Sequence, residues 1–288
     1  MTPRCPVLRR WSNALQESPE IGELSLQKLL AGRLATTHSA FSIEIAMEEI
    51  DDSKAPLSVS EFARLIKVPT AIACCSKRNT GKTMLISCLI QEFVKQKKAD
   101  LVLVMSQTAG VNDDYWFINP RLRQTFSELT IKKLMDRQGK VKKGQREQVL
   151  LVLDDVLSSK EAENSRFIKR LYTLGRHYDI SVILISQTSN VALTPAIKQN
   201  SDYILYSRLN RYQLAALHES VTNMDKRDFI QFSESHNKNY TFLCVDNTSQ
   251  SNRPADFLLR VKVCPAEAQQ ISKEESESED ASSSESEW

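Results

Sequence analysis

Ala71-Ile72-Ala73-Cys74-Cys75-Ser76-Lys77-Arg78-Asn79-Thr80-Gly81-Lys82-Thr83-Met84 joins an apolar run of strand length to a polar loop and then to a helical run reaching Lys95. The loop fits the pattern GxxxxGK[ST] except at its first position. That pattern needs backbone N–H groups that wrap phosphates, a lysine on the β- and γ-phosphates, and a hydroxyl on Mg2+. Ser76, Lys77, Arg78, Asn79 and Thr80 form the wrap, and Gly81, Lys82 and Thr83 supply the rest. Ser76 stands where glycine is expected, so the loop must enter through dihedrals that a small L-residue tolerates. An ordinary strand-to-helix turn is the competing reading. The position between a buried strand and an amphipathic helix favours the phosphate loop and predicts ATP and Mg2+ as ligands.

Outward from this loop, apolar runs recur at Leu101–Met105, Val149–Leu153 and Ser181–Ile185, separated by polar, helix-compatible segments. Continuous rather than alternating hydrophobicity marks strands buried on both faces, as in a parallel sheet covered by crossover helices. The fold class expected is α/β: a P-loop NTPase with a mostly parallel central sheet flanked by helices, of the additional-strand, RecA-like type. Tyr203–Tyr206 and Tyr240–Val245 extend the sheet, the second as an edge strand. Ser58-Val59-Ser60-Glu61 reads as a capping box opening a short helix that Pro69 closes.

Val149-Leu150-Leu151-Val152-Leu153-Asp154-Asp155 ends a buried strand in two carboxylates, the form of a Walker B element. Asp154 is the candidate for the Mg2+ shell, and Asp155 the candidate to orient or deprotonate the attacking water, one methylene shorter than the usual Glu. Two acidic residues that merely end a strand are the bland alternative. Ile183-Leu184-Ile185-Ser186-Gln187 ends a further strand in an amide, which places Gln187 near the γ-phosphate if this strand lies beside the phosphate-loop strand. Arg176 precedes that strand and so falls at the opposite end of the sheet, away from its own nucleotide and available to a neighbouring subunit. A surface salt bridge is the alternative for Arg176, and Arg208 and Arg211 are rivals for the role in trans.

These blocks, with Val104-Met105-Ser106-Gln107-Thr108, Asn112-Asp113-Asp114-Tyr115-Trp116-Phe117-Ile118 and Gly175-Arg176-His177, make residues 60–215 similar to the DNA-packaging ATPases of large double-stranded DNA viruses, of the poxvirus type, within the FtsK/HerA superfamily. The resemblance implies Lys82 and Thr83 on ATP and Mg2+, Asp154 and Asp155 as metal and water carboxylates, and Gln187 as sensor. It further implies an ATP-driven motor that moves viral double-stranded DNA into a capsid. Its expected partners are DNA without sequence preference, further copies of itself in a ring, and a viral capsid or membrane protein. Two readings stand beside it: a nucleotide-binding assembly scaffold that hydrolyses weakly, and another P-loop enzyme such as a small-molecule kinase. Against the kinase, no arginine-rich lid is visible; Lys160, Arg166, Lys169 and Arg170 form only a basic helix. No NKxD tetrapeptide reads guanine, the nearest string being Asn237-Lys238-Asn239-Tyr240, so ATP is preferred to GTP.

Arg137-Gln138-Gly139-Lys140-Val141-Lys142-Lys143-Gly144-Gln145-Arg146 reads as a flexible basic loop. Lys140, Lys142, Lys143 and Arg146 are its candidate DNA contacts; a solvated loop and a nuclear-import signal are the alternatives. The 288 residues carry a formal net charge of +2, but residues 273–288 hold one lysine against seven carboxylates, which leaves a body of about +8. That surplus suits a polyanion. The six cysteines show no CxxC pair or metal-ligand spacing, so buried, reduced thiols are expected, with neither disulfide nor zinc. No signal peptide or apolar span of about 18 residues occurs, which points to an intracellular protein of the host cytoplasm, the virion or the nucleus. The expected organisation is an N-terminal extension over 1–57, the ATPase domain over 58–265, and a disordered Ser/Glu-rich tail over 266–288. In that tail Ser276, Ser282 and Ser284 each precede a Glu by three residues, as acidophilic kinases require.

Overall fold

The computed structural model describes residues 55–109, 114–158, 165–187, 194–221, 224–251 and 253–264. All belong to one compact unit spanning Asp52–Trp288. The expected extension before residue 55, the acidic tail, Asn112, Asp113 and Lys160 lie outside the described residues.

In chain order the described elements are β1 (Leu57–Ser58), α1 (Val59–Leu65), β2 (Ala71–Ser76), α2 (Lys82–Lys95), β3 (Leu101–Ser106), β4 (Arg123–Gln124), α3 (Glu128–Lys140), β5 (Val149–Asp154), α4 (Arg166–Leu174), β6 (Ile180–Ser186), α5 (Pro195–Asn200), β7 (Tyr203–Ser207), α6 (Arg211–Val221), α7 (Lys226–His236), β8 (Thr241–Asp246), α8 (Pro254–Phe257) and β9 (Leu258–Lys262). The strands form one sheet in the order β1-β9-β8-β7-β2-β6-β5-β3-β4. From β7 through β4 every neighbour is parallel, and β8 alone runs against both of its neighbours.

Each long apolar run of the sequence is a strand, and every residue of β2, β5, β6 and β7 is buried. Side chains of one parity, among them Ile72, Cys74, Val152, Ile185 and Leu205, pack with Phe62 of α1 and Leu85, Leu89 and Phe93 of α2 in one core. On the other face Tyr206 meets Phe229 of α7 at 6.0 Å between ring centroids, and the Tyr172 hydroxyl of α4 donates to the Ile72 carbonyl at 2.8 Å. Cys74, Cys75, Cys88 and Cys244 are buried within these layers.

The capping box forms as read: the Ser58 hydroxyl accepts from the Glu61 amide at 3.2 Å, and the Glu61 carboxylate accepts from the Ser58 amide at 2.8 Å. At the other end of α1 the Lys98 ammonium collects the carbonyls of Ala63 and Ile66 at 2.5 and 2.6 Å, groups that no helical turn follows to satisfy.

Two expectations change. The β8 strand is interior rather than an edge, because β9 and then β1 extend the sheet beyond it. The expected domain start at 58 cuts β1 in two, since Leu57 pairs with Val261. Such a two-residue strand has no periodicity to read.

Candidate active site

The carboxyl ends of β2, β6 and β5 lie side by side, with Cys75 opposite Ser186 and Asp154 opposite Ile185. The strand ending in Gln187 therefore separates the phosphate-loop strand from the carboxylate strand. Open parallel sheets bind ligands at this edge.

The loop from Ser76 to Gly81 is closed by side chains as well as backbone. Asn79 and Gly81 adopt left-handed conformations, with φ of 56° and 88°, whereas Ser76 remains in the extended strand. The missing first glycine thus imposes no strain. Thr80 Oγ1 donates to the Lys77 carbonyl at 2.9 Å and accepts from Ser76 Oγ at 2.7 Å, which fixes the direction of both hydroxyls. Ser76 consequently faces the inside of the loop. Lys82 opens α2, and its ammonium sits beneath the loop on the carbonyls of Ser76 and Lys77, at 3.0 and 3.1 Å. Thr83 follows at the next helical position. Tyr240, in a left-handed conformation with φ of 58°, lays its ring against Gly81, where an added Cβ would approach Tyr240 Cδ1 to 2.9 Å.

At the end of β5, Asp154 is 9% exposed and accepts from the Tyr115 hydroxyl at 2.9 Å. Burial pushes this carboxyl up to about 6, the Tyr115 hydrogen bond opposes the rise, and Asp155 and Asp114 add to it. A buried carboxyl beside a lysine, with a hydroxyl donor holding its second oxygen, is a donor set that fits a divalent cation. Asp155 turns away through a left-handed conformation, φ 50°, so the two carboxylates address different partners. Gln187 Nε2 donates to Asp155 Oδ2, and Gln187 Oε1 accepts from Arg78 Nε at 2.8 Å. The amide therefore links the loop to Asp155.

The candidate residues Ser76 to Thr83, Asp154, Asp155 and Gln187 are brought together here. Two participants escaped sequence reading: Tyr115 as a partner of Asp154, and Arg78 as a partner of Gln187 rather than a bare loop position. Tyr115 lies in a quoted block, but only tertiary folding aims its hydroxyl.

Arg176 is elsewhere. It lies in the 3-10 turn Gly175–Tyr178 before β6, at the amino ends of the strands, with Nη1 3.1 Å from Asp202 Oδ1. The other Asp202 oxygen accepts from the Ala71 amide at 2.8 Å. Of its rivals, Arg211 pairs with Glu234 at 2.8 Å, and exposed Arg208 follows β7 beside its own phosphate loop.

The basic segment also lies at the amino ends, and it is not one flexible loop. Helix α3 continues through Lys140, so Arg137, Gln138 and Gly139 are helical. Gly139 serves close approach, since a Cβ there would come within 3.2 Å of the Tyr178 ring. Arg146 departs from its expected role: its guanidinium donates to the carbonyls of Val141 and His177, lies 3.7 Å from Asp179, and is largely buried. It is an anchor rather than a DNA contact. Lys140, Lys142 and Lys143 remain exposed. Beside them α3 and α4 enclose a cleft of about 780 Å³ lined by Lys132, Lys140, Arg166 and Arg170 against the single carboxylate of Asp136.

A phosphate loop, a strand-terminal carboxylate pair and an intervening strand that ends in a bridging glutamine define a P-loop ATPase of the additional-strand class. Residues 59–231 match the model of the poxvirus A32 protein family. The chain belongs to that family, whose members are viral DNA-packaging ATPases. It is 28% identical over 183 residues to the uncharacterised protein 075L of invertebrate iridescent virus 6, covering 61% of this chain and 70% of that one. With the uncharacterised protein 015R of frog virus 3 (isolate Goorha) it shares 24% identity over 200 residues, 67% of this chain and 61% of that one. Among solved structures, the DNA-packaging ATPase B204 of Sulfolobus turreted icosahedral virus has the same fold, with a TM-score of 0.50 at 14% identity over 69% of this chain and all of that one.

Proposed function

We propose that ATP hydrolysed at the Lys82–Asp155 site drives viral double-stranded DNA into a preformed capsid, and that the working form is a homo-oligomeric ring docked on a capsid or membrane protein. The observation that carries this reading is the Arg78–Gln187–Asp155 chain, which couples the phosphate loop to the carboxylate proposed for the attacking water. In it Lys82 neutralises the β- and γ-phosphates, and Thr83 with Asp154 would hold Mg2+, which would supply Lewis-acid polarisation of the transferring phosphoryl group. Asp155 orients the water. Among the described residues no helix is long and apolar enough to cross a membrane. The site of action proposed is the host-cell assembly site or the virion.

DNA is contacted through phosphates by the exposed cations of the α3–β5 connection and the neighbouring α3–α4 cleft, a mode that carries no sequence information. The test is the ATPase rate of the full chain with and without duplex DNA of several unrelated sequences: stimulation by all of them is expected. Replacing Lys140, Lys142 and Lys143 together with alanine flattens the slope of log affinity against log salt by about 3 units, at about 0.9 counterion per phosphate. Basal hydrolysis stays unchanged, because these residues are remote from the phosphate loop. An unchanged slope places the DNA path elsewhere.

The arginine acting in trans is proposed to be Arg176, which is 45% exposed at its side chain and held in one orientation by Asp202. Subunits carrying Arg176→Ala, mixed with subunits carrying Lys82→Ala, recover part of the hydrolysis that each lacks alone. Mixtures that assemble without regaining activity confine Arg176 to its ion pair.

A further inference from the structure

The cations of the α3–α4 cleft stand apart from the others on the surface. Lys132 and Lys140 form one wall and Arg166 and Arg170 the other, with Asp136 as the carboxylate among the lining residues. All four cations are exposed, and none forms an ion pair among the described residues. Other exposed arginines do find partners: Arg137 meets Glu147 at 2.9 Å, Arg211 meets Glu234 at 2.8 Å, and Arg253 meets Asp256 at 2.9 Å. Arg166 has the Phe167 ring, with its guanidinium carbon 5.4 Å from the centroid, a contact that satisfies none of its N–H donors.

The matching charge lies in the same chain. Residues 273–288 carry seven carboxylates against one lysine, and Glu275, Glu277 and Glu279 alternate with serines. Drawn out as an extended chain, that alternation sets carboxylates on one side about 7 Å apart. Length is no obstacle. Strand β9 ends at the carboxyl edge of the parallel strands, five strands along the sheet from β5, or about 24 Å at 4.8 Å per strand. Glu274 and Glu287 follow Cys264 by 10 and 23 residues, about 34 and 78 Å of extended chain. The width to be crossed, the sheet depth of about 20 Å and a helix layer of about 10 Å fall within that reach.

We infer that the acidic segment 273–288 of this chain occupies the α3–α4 cleft in the absence of duplex and gives way to DNA phosphates. The inference rests on the DNA reading of the cleft and deepens it by naming what guards that site. Tethering holds the segment at an effective concentration near about 1 mM, so weak attraction suffices to fill the cleft. A competitor must then present many phosphates at once, which a long duplex does and a single anion does not. Phosphorylation of Ser276, Ser282 or Ser284 adds a charge of about −1.5 to −2 each and strengthens the guard.

The experiment uses the full chain and a variant in which the seven carboxylates of residues 273–288 are replaced by their amides. The neutralised chain binds duplex about tenfold more tightly at about 50 mM salt. A fluorescent peptide of sequence 273–288 binds the neutralised chain, and duplex displaces it. In that chain, Lys132→Ala with Arg166→Ala and Arg170→Ala weakens the peptide about tenfold or more, and weakens duplex as well. Lys67→Ala with Lys95→Ala and Lys97→Ala removes the same charge from the α1–α2 face and leaves both ligands within about twofold. A peptide held equally by the two triple variants answers to net charge alone and overturns the inference, as does a peptide that stays bound when duplex saturates the protein. Unchanged duplex affinity on neutralising the segment, with duplex still weakened by the cleft variant, overturns the inference and leaves the DNA reading standing. Duplex bound as tightly by the cleft variant as by the charge-matched control overturns the DNA reading, and the inference with it.

Discussion

Lys82→Ala lowers ATP hydrolysis by at least about a hundredfold while the protein still unfolds cooperatively near the temperature of the unaltered chain. The ammonium lies at the start of α2 with the carbonyls of Ser76 and Lys77 as its hydrogen-bond acceptors among the described residues. Phosphate oxygens compete for the same donors, so the lysine exchanges neutral acceptors for charged ones when nucleotide enters, and both partners of each bond are then ionised. Losing a single preorganised partner of developing transition-state charge costs about two to three orders of magnitude in rate. Removal of the ammonium also relieves the desolvation of a buried cation, which offsets the bonds lost to the two carbonyls. The check is turnover measured beside a thermal melt. A variant that hydrolyses ATP at the original rate would remove the phosphate loop from the mechanism.

Asp155→Asn retains ATP and stops turning it over, with a loss of about a thousandfold in rate, the range for removal of a positioned base. The substitution is a clean one. Asparagine tolerates the left-handed backbone that Asp155 adopts, and its carbonyl oxygen still accepts from Gln187. Asp154→Asn behaves differently. Its oxygen still accepts from Tyr115, but the anionic ligand is gone from a buried site, so the Mg2+ concentration for half-maximal activity rises about tenfold or more. Titrating Mg2+ against both variants separates the roles. An Asp155 variant with normal turnover transfers the water-activating role to another group.

Legibility in the sequence followed the range of the interaction concerned. Strands such as Val149–Asp154 and Ile180–Ser186 were readable because burial on both faces leaves an unbroken apolar run. The phosphate loop was readable because its chemistry demands fixed residue types at fixed spacing. What escaped were contacts between segments distant in the chain. Tyr115 meets Asp154 across 39 residues, Arg78 meets Gln187 across 109, and nothing local in either pair announces the other. Arg146 looks like its lysine neighbours, yet its planar fork suits the carbonyl and the carboxylate that the Gly175–Ile180 turn brings up to it. Gly139 suggests a flexible loop, whereas it lies in a helix where a Cβ would crowd the Tyr178 ring.

The Ser76–Thr80 hydroxyl pair changes when the loop is ordered. A glycine at position 76 would widen the range of conformations open to the chain before it folds and at the mouth of the site afterwards. With serine there, the loop is stapled by two side-chain bonds as the protein folds. The conformational entropy is surrendered once, at folding, and not again each time a nucleotide arrives. For an ATPase, that difference recurs with every cycle of binding and release.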